Sequence, residues 1–386
     1  MKKISCISLI ILLVCLIGGC NNPNALKQTS NTNEVGQNSD IVLKMGSIPS
    51  GINIIGAKDE NNFYCFKGNN HKAIYLYQVN NSSTSIINTV VAPNKYIKSC
   101  IFNENWIIWV EDEVEIESDN DVNEVNWATY ARNLQTGEVI EVDKYKKIDL
   151  DKSTYYRALE PQALSEYGDK VVFTNYDLST DGQPIQVIKM FDLTKKQMLI
   201  LDSTKDYQKR FYSYPIISGD WLTWSESQVN LLDFTEKGKT FLYDIGKMAK
   251  SEISEGDEIL WPYIDGNYIA ARRKPDGFNE NSSIMVFDKK TGIWTTIASP
   301  NASFYKGKSH VEMGMAIISQ QYLTWRDNVN SDIPVYDLQN NKLYLFKGEN
   351  ERVIPIGIFN KILFWTEDNM KDAQEQSTIT NYAVLK

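Results

Sequence analysis

Basic and aromatic residues recur just ahead of short apolar strands: Lys95-Tyr96, Tyr156-Arg157, Arg210-Phe211-Tyr212, and singly His310 and Arg352. A guanidinium presents a planar fork of donors that fits an anion, and a tyrosine ring stacks on a sugar face. Tyr156, Arg157, Arg210, Tyr212, His310 and Arg352 are therefore the candidate ligand-binding set, weighed against plain rim salt bridges. Asp257, Glu258 and Glu312 hold comparable places, so the set is mixed in sign. Asp119, Asp121 and Asn123 put oxygen ligands at alternate positions, as calcium loops do. Glu124 stands where an EF-hand needs glycine, and Tyr130 where it needs its last glutamate. A solvated acidic loop from Glu111 to Glu124 is the preferred reading, with no cofactor.

Other chemistries find little footing. The chain of 386 residues has 2 histidines, which leaves small scope for His-based metal sites or a His general base. No nucleophile elbow, Walker loop or dinucleotide fingerprint occurs. Carboxylates suffice for a glycosidase pair, yet nothing selects two of them. With 40 Lys+Arg against 49 Asp+Glu and no long basic run, nucleic acid is excluded as a partner.

The elements that must position these residues come from a repeat. A polar turn residue, two or three apolar residues and an aromatic recur at Asn62–Phe66, Asn105–Trp109, Asp169–Phe173, Asp220–Trp224, Asn267–Ala271, Gln321–Trp325 and Lys361–Trp365. The spacing is about 50 residues. Each copy is preceded by an apolar strand. A third strand follows, ending in an aromatic–Asp pair (Phe191-Asp192, Tyr243-Asp244, Phe287-Asp288, Tyr336-Asp337), then a tight turn and a fourth strand. Four short strands per repeat without intervening helical periodicity is the grammar of a β-propeller blade. The seventh copy ends one strand short, and Asp40–Gly46 has no blade of its own. Adding it to the last blade pairs an exposed edge and ties the termini together.

The N-terminus reads as an address. Lys2 and Lys3 precede an apolar run too short to span a membrane comfortably. The run Leu16–Cys20 (LIGGC) resembles a bacterial lipobox, with Ile17 where leucine is commoner. That resemblance implies removal of residues 1–19, lipidation of Cys20 and a lipid-anchored extracytoplasmic place on the cell membrane. Residues 20–39 are then a polar tether, and 40–386 the propeller domain. Cys6 and Cys15 leave with the signal, so Cys65 and Cys100 either pair or stay as thiols.

Phrases such as YPIISGDWLTW and NSSIMVFDKKTGIWTTIAS resemble TolB-type propeller repeats of envelope proteins. The resemblance covers 40–386 at repeat level and implies a propeller used for protein or glycan contacts, with no catalytic residues to carry over. Ala271 departs from the pattern where other copies have an aromatic.

Loop lengths pick out one face. Connections between first and second strands, and third and fourth, are minimal turns such as Ser218-Gly219, Asp265-Gly266 and Thr291-Gly292. The long ones are Glu111–Asn126, Asn175–Pro184, Ser225–Lys239, Arg272–Ser282 and Glu367–Ser377 between second and third strands, and Lys144–Tyr155 between blades. Long loops on a rigid scaffold usually carry function. The expectation is an all-β, seven-bladed propeller of four-stranded antiparallel blades, closed by its N-terminal strand. It would act as a monomeric, non-catalytic binding or scaffold module for an envelope protein or cell-wall glycan on the long-loop face. The alternative is a polysaccharide lyase or glycoside hydrolase, with His310 or Arg210 acting on an acidic sugar.

Overall fold

In the computed structural model, the described residues are 35–386 apart from 114–125, 147, 149–162, 207–209, 231–234, 255, 257, 275–281, 309–310, 328, 330–331, 348–351 and 370–376. They form seven successive antiparallel blades, each running from an inner to an outer strand. Blade one is Ile52–Asp59, Asn62–Lys67, Asn70–Gln78 and Ser83–Thr89. Blade five is Ile259–Asp265, Tyr268–Arg273, Ser283–Asp288 and Ile293–Ala298. Blade four breaks its inner strand into Phe211–Tyr212 and Ile216–Ser218. The break falls at Pro215, which has no amide proton for a ladder.

The recurring second-strand motif has a simple cause. That strand is flanked by strands on both edges and by neighbouring blades on both faces, so it has no side for water. Trp106–Asp112 is buried at every position, and the run is continuously apolar rather than alternating. Trp109, Phe173, Trp224 and Trp325 are fully buried at the motif's end, as is Ala271. The aromatic–Asp pairs are turn devices. Asp192, Asp244, Asp288 and Asp337 accept the amides of Lys195, Lys247, Lys290 and Gln339 at 2.8–3.0 Å, closing the turn locally. Lys196, Met248, Gly292 and Asn341 are the left-handed residues of these four turns.

The ring closes by strand exchange. Val42–Ile48 is the outer strand of blade seven and pairs antiparallel with Ser377–Leu385, from Val42↔Leu385 to Ile48↔Thr380. The expected strand at Asp40–Gly46 is thus present, displaced by two residues. Phe63 and Phe364 meet edge to face at 4.9 Å across the seam between blades seven and one. One element is additional. Val35–Gly36 pairs in parallel with Leu343 and Tyr344 of blade six, and the Asn38 amide donates to the Leu345 carbonyl at 3.0 Å. The end of the expected tether is therefore laid onto the propeller. In blade four the expected loop Ser225–Lys239 is mostly a long hairpin, Trp221–Asn230 with Thr235–Asp244. Cys65 and Cys100 are separate thiols, and burial pushes the Cys65 thiol up to about 12.

Candidate functional site: the turn end of the channel

All seven inner strands converge on one cavity of about 430 Å³ at the end of the channel formed by the tight turns. Its apolar wall includes Ile55, Ile101, Ile216, Ile264, Ile318 and Ile358. The turns that rim it are stitched blade to blade. Asn103 of blade two donates to Glu166 of blade three at 2.6 Å. The Ile217 amide donates to the Ser165 hydroxyl at 3.1 Å. Asp265 accepts from the Ser218 hydroxyl at 3.4 Å and the Gln320 amide at 2.6 Å. Asn360 donates to the Ala57 carbonyl at 2.9 Å. Between blades one and two, the rings of Tyr64 and Phe102 stack at 3.9 Å. A pocket walled this way is preformed, as ligand sites usually are.

The polar content is one-sided in charge. The described lining residues include Glu166 and Asp265 but no lysine or arginine. Burial pushes the Glu166 carboxyl up to about 7, against the pull of the Asn103 amide. Burial first, then the charges of Asp265 and Glu166, push the Tyr263 phenol up to about 12, so that phenol lies within the field of both carboxylates. The inner strand of blade five is bulged between Leu260 and Tyr263. There Trp261 adopts φ 57°, a left-handed conformation that is rare and strained for a bulky residue. Its indole donates to Glu236 at 3.2 Å.

The residues singled out in the sequence fare differently. Tyr212 is 4% exposed and sits in the core between blades three and four. Burial and the nearby Asp202 carboxylate push its phenol far up. Arg210 is 58% exposed and pairs with Glu226 at 3.3 Å. It lines a separate hollow of about 390 Å³ on blade four with Gln228, Lys237, Lys239 and Glu252. These two therefore do not converge on one mouth. Arg352 opens the inner strand of blade seven. Tyr156, Arg157 and His310, the calcium candidates Asp119, Asp121 and Asn123, and Cys20 lie outside the described residues. Among the described residues no group of three or more His, Cys, Asp or Glu is placed to hold a metal. Loop length pointed to the opposite end of the channel and passed over Glu166, Tyr263 and Asp265. The available signal was the run of acids in the first turns of the blades: Asp59, Glu104, Glu166, Asp220 and Asp265.

No protein-family model matches the chain, and no curated protein matches it in sequence. Solved structures match its fold. The β-propeller domain of the Trilobed protease from Pyrococcus furiosus aligns with a TM-score of 0.55 at 12% identity, over 88% of this chain and 98% of that one. A structure from a study of two prolyl endopeptidases gives 0.58 at 9% identity, over 85% of this chain and 46% of the other. Pyrococcus horikoshii acylaminoacyl peptidase gives 0.53 at 12%, over 86% and 52%. This chain spans about half the length of those two peptidases. The class defined by fold and channel is the seven-bladed β-propeller, similar to the propeller domains of peptidases. The Pyrococcus furiosus domain is described as having an open velcro topology, whereas this ring is closed by its N-terminal strand.

These neighbours overturn the expected non-catalytic scaffold for an envelope protein or cell-wall glycan: propellers of this shape stand in peptidases. The polysaccharide lyase or glycoside hydrolase alternative falls with it. Arg210, which it offered beside His310 as the acting residue, is held by Glu226 on blade four, away from the channel-end cavity.

Proposed function

We propose that this chain is a peptidase-associated propeller, which admits and orients a peptide for a hydrolytic centre in an adjoining or partner domain. The observation that carries the reading is the stitched cavity at the end of the channel, built by all seven inner strands, in a fold whose neighbours are peptidase propellers. A preformed cavity of about 430 Å³ suits a segment of extended chain, because entry then needs no rearrangement of the blades. The test is fluorescence anisotropy of the purified protein with labelled unstructured peptides and labelled cell-wall oligosaccharides. Saturable peptide binding is expected. Saturable oligosaccharide binding with no peptide binding would overturn the reading.

The lipobox resemblance at Leu16–Cys20 supports a second element of the proposal: the propeller is held to the outer side of the cell membrane through lipid on Cys20. The TolB-type repeat phrases are compatible with that envelope setting.

A further inference from the structure

We propose that the turn-end cavity binds an organic cation, an alkylammonium or guanidinium group on an apolar stem. The inference deepens the peptide reading and rests on it only for the source of the cation. Three independent features select this chemistry. First, the charges lining the cavity are carboxylates, Glu166 and Asp265, and the neighbouring turns add Asp59, Glu60, Glu104, Asp169 and Asp220 against Lys58, Lys170 and Lys361, leaving acids in excess. An anion would enter against this field, whereas a cation is drawn along it. Second, the aromatic side chains of Tyr64, Phe102, Tyr167, Tyr263 and Phe359 line the cavity, and aromatic rings attract a partly desolvated cation. Third, the isoleucine wall accepts an apolar stem, and about 430 Å³ is ample for a lysine or arginine side chain.

Glu166 makes the site responsive to pH. The titratable groups that line the cavity with it are Asp265 and Tyr263 from blade five, Tyr167 from its own blade, Cys100 from blade two and Tyr64 from blade one, and Asp169 and Lys170 follow in its own turn. Lys170 is drawn to Asp220 at 3.6 Å. Lys289 acts on Asp265 from outside the lining, with its own ammonium drawn over Trp221 at 5.1 Å. With its carboxyl titrating near 7, the empty cavity is largely protonated at Glu166 in mildly acid solution. A bound cation favours the carboxylate, so the carboxyl O–H bond breaks and the proton leaves to buffer as the ion pair forms.

The probes are phenethylamine, its anionic counterpart 3-phenylpropionate, and N-acetyl-lysine amide, titrated calorimetrically into the full chain. At about pH 8 phenethylamine should bind and 3-phenylpropionate should not. Affinity should fall as the pH drops through the Glu166 titration near 7. Buffers of unlike ionisation enthalpy should reveal proton release at about that pH. Glu166→Gln should weaken binding about tenfold or more and abolish the proton release. Asp265→Asn should weaken it comparably while keeping one acceptor for Gln320. Binding of N-acetyl-lysine amide with the same Glu166 dependence identifies a peptide side chain as the source. Binding of the free amine alone identifies a small amine, and then the cavity inference stands while the peptide reading loses its support here. Equal binding of amine and acid, no amine binding at about pH 8, or indifference to both substitutions would overturn the inference. Uncharged peptides binding in the anisotropy assay would still leave the peptide reading in place.

Discussion

Closure of the ring can be taken apart by truncation, because the two described N-terminal strands have separable contacts. Removing residues 1–34 leaves every described strand in place. Removing residues 1–40 also loses the two-residue parallel strand Val35–Gly36 and the Asn38 hydrogen bond. A few such bonds contribute roughly 0.5–1.5 kcal/mol each. Removing residues 1–48 strips the outer strand of blade seven. That strand alternates, with Leu43 and Met45 63% and 55% exposed, while Ile48 and the preceding Ile41 are 3% and 4% exposed. Burial of two isoleucines is worth about 3–6 kcal/mol, before the ladder to Ser377–Leu385 is counted. The loss also uncovers Tyr382 and Val384, which pack with Ile48, Phe63 and Phe364 at the seam between blades seven and one. Urea denaturation of the three truncations, followed by tryptophan fluorescence, should show a small step from the first to the second and a large one to the third. Ile48→Ala in the full chain, expected to cost about 2–5 kcal/mol, separates burial from mere loss of chain. Should the third truncation be as stable as the first, strand exchange does not hold the ring shut.

Two further predictions follow from other parts of the molecule. Lys189 is 3% exposed between Asp143 and Asp177, each at 3.1 Å, so Lys189→Met should destabilise by about 3–5 kcal/mol in a thermal or urea melt, by leaving buried carboxylates uncompensated. Burial alone would raise the Asp177 carboxyl, but the Leu178 amide and the Lys189 charge outweigh it and hold it below the usual range. Its stabilisation is therefore present above the ordinary carboxylate pKa and lost as pH falls below about 4, and the acid limb of the wild-type stability curve should flatten in Lys189→Met. Cys20→Ser should release the protein from membranes or leave its precursor unprocessed, read by detergent partitioning and N-terminal mass. Identical partitioning of mutant and wild type would refute lipid attachment.

The fold was legible because blade construction is local. Asn105–Trp109 and its six counterparts each report a buried middle strand, and each aromatic–Asp pair reports a turn closed by its own carboxylate. Even the closing strand could be read, since an unpaired seventh blade and an orphan strand at Asp40–Gly46 need each other. The cavity was harder to read. Glu166, Tyr263 and Asp265 come from two blades about a hundred residues apart, and nothing in either stretch marks them as partners. Loop length drew attention to the other end of the channel because insertions are visible in a sequence, whereas convergence of short turns is not. Tyr212 illustrates the converse. Beside Arg210 it resembles a binding residue, yet the alternation of its strand turns it into the core between blades.

An acidic chain offers many carboxylates, and the useful question is which are already committed to holding the fold. Glu111 accepts the amides of Val91 and Ala92 and the indole of Trp109, fixing the passage from blade one to blade two. Glu367 repeats the device in blade seven, taking the indole of Trp365 at 2.9 Å and the Asn381 amide at 2.8 Å. Both lie two residues beyond the motif aromatic, so the acid that follows Trp109 and Trp365 is a structural clamp whose position the repeat dictates. Asp192, Asp244, Asp288 and Asp337 are equally committed to turns, and Asp143 and Asp177 to Lys189. Asp265 is held on both oxygens by blades four and six. Glu166 stands apart: its hydrogen bond among the described residues comes from Asn103, and its carboxyl is the one that burial brings to about 7. The acids named above are committed to the fold, whereas burial pushes this one towards neutrality beside the cavity, where a bound cation would relieve it. That asymmetry, rather than the net charge of −9, is the electrostatic argument for where this propeller acts.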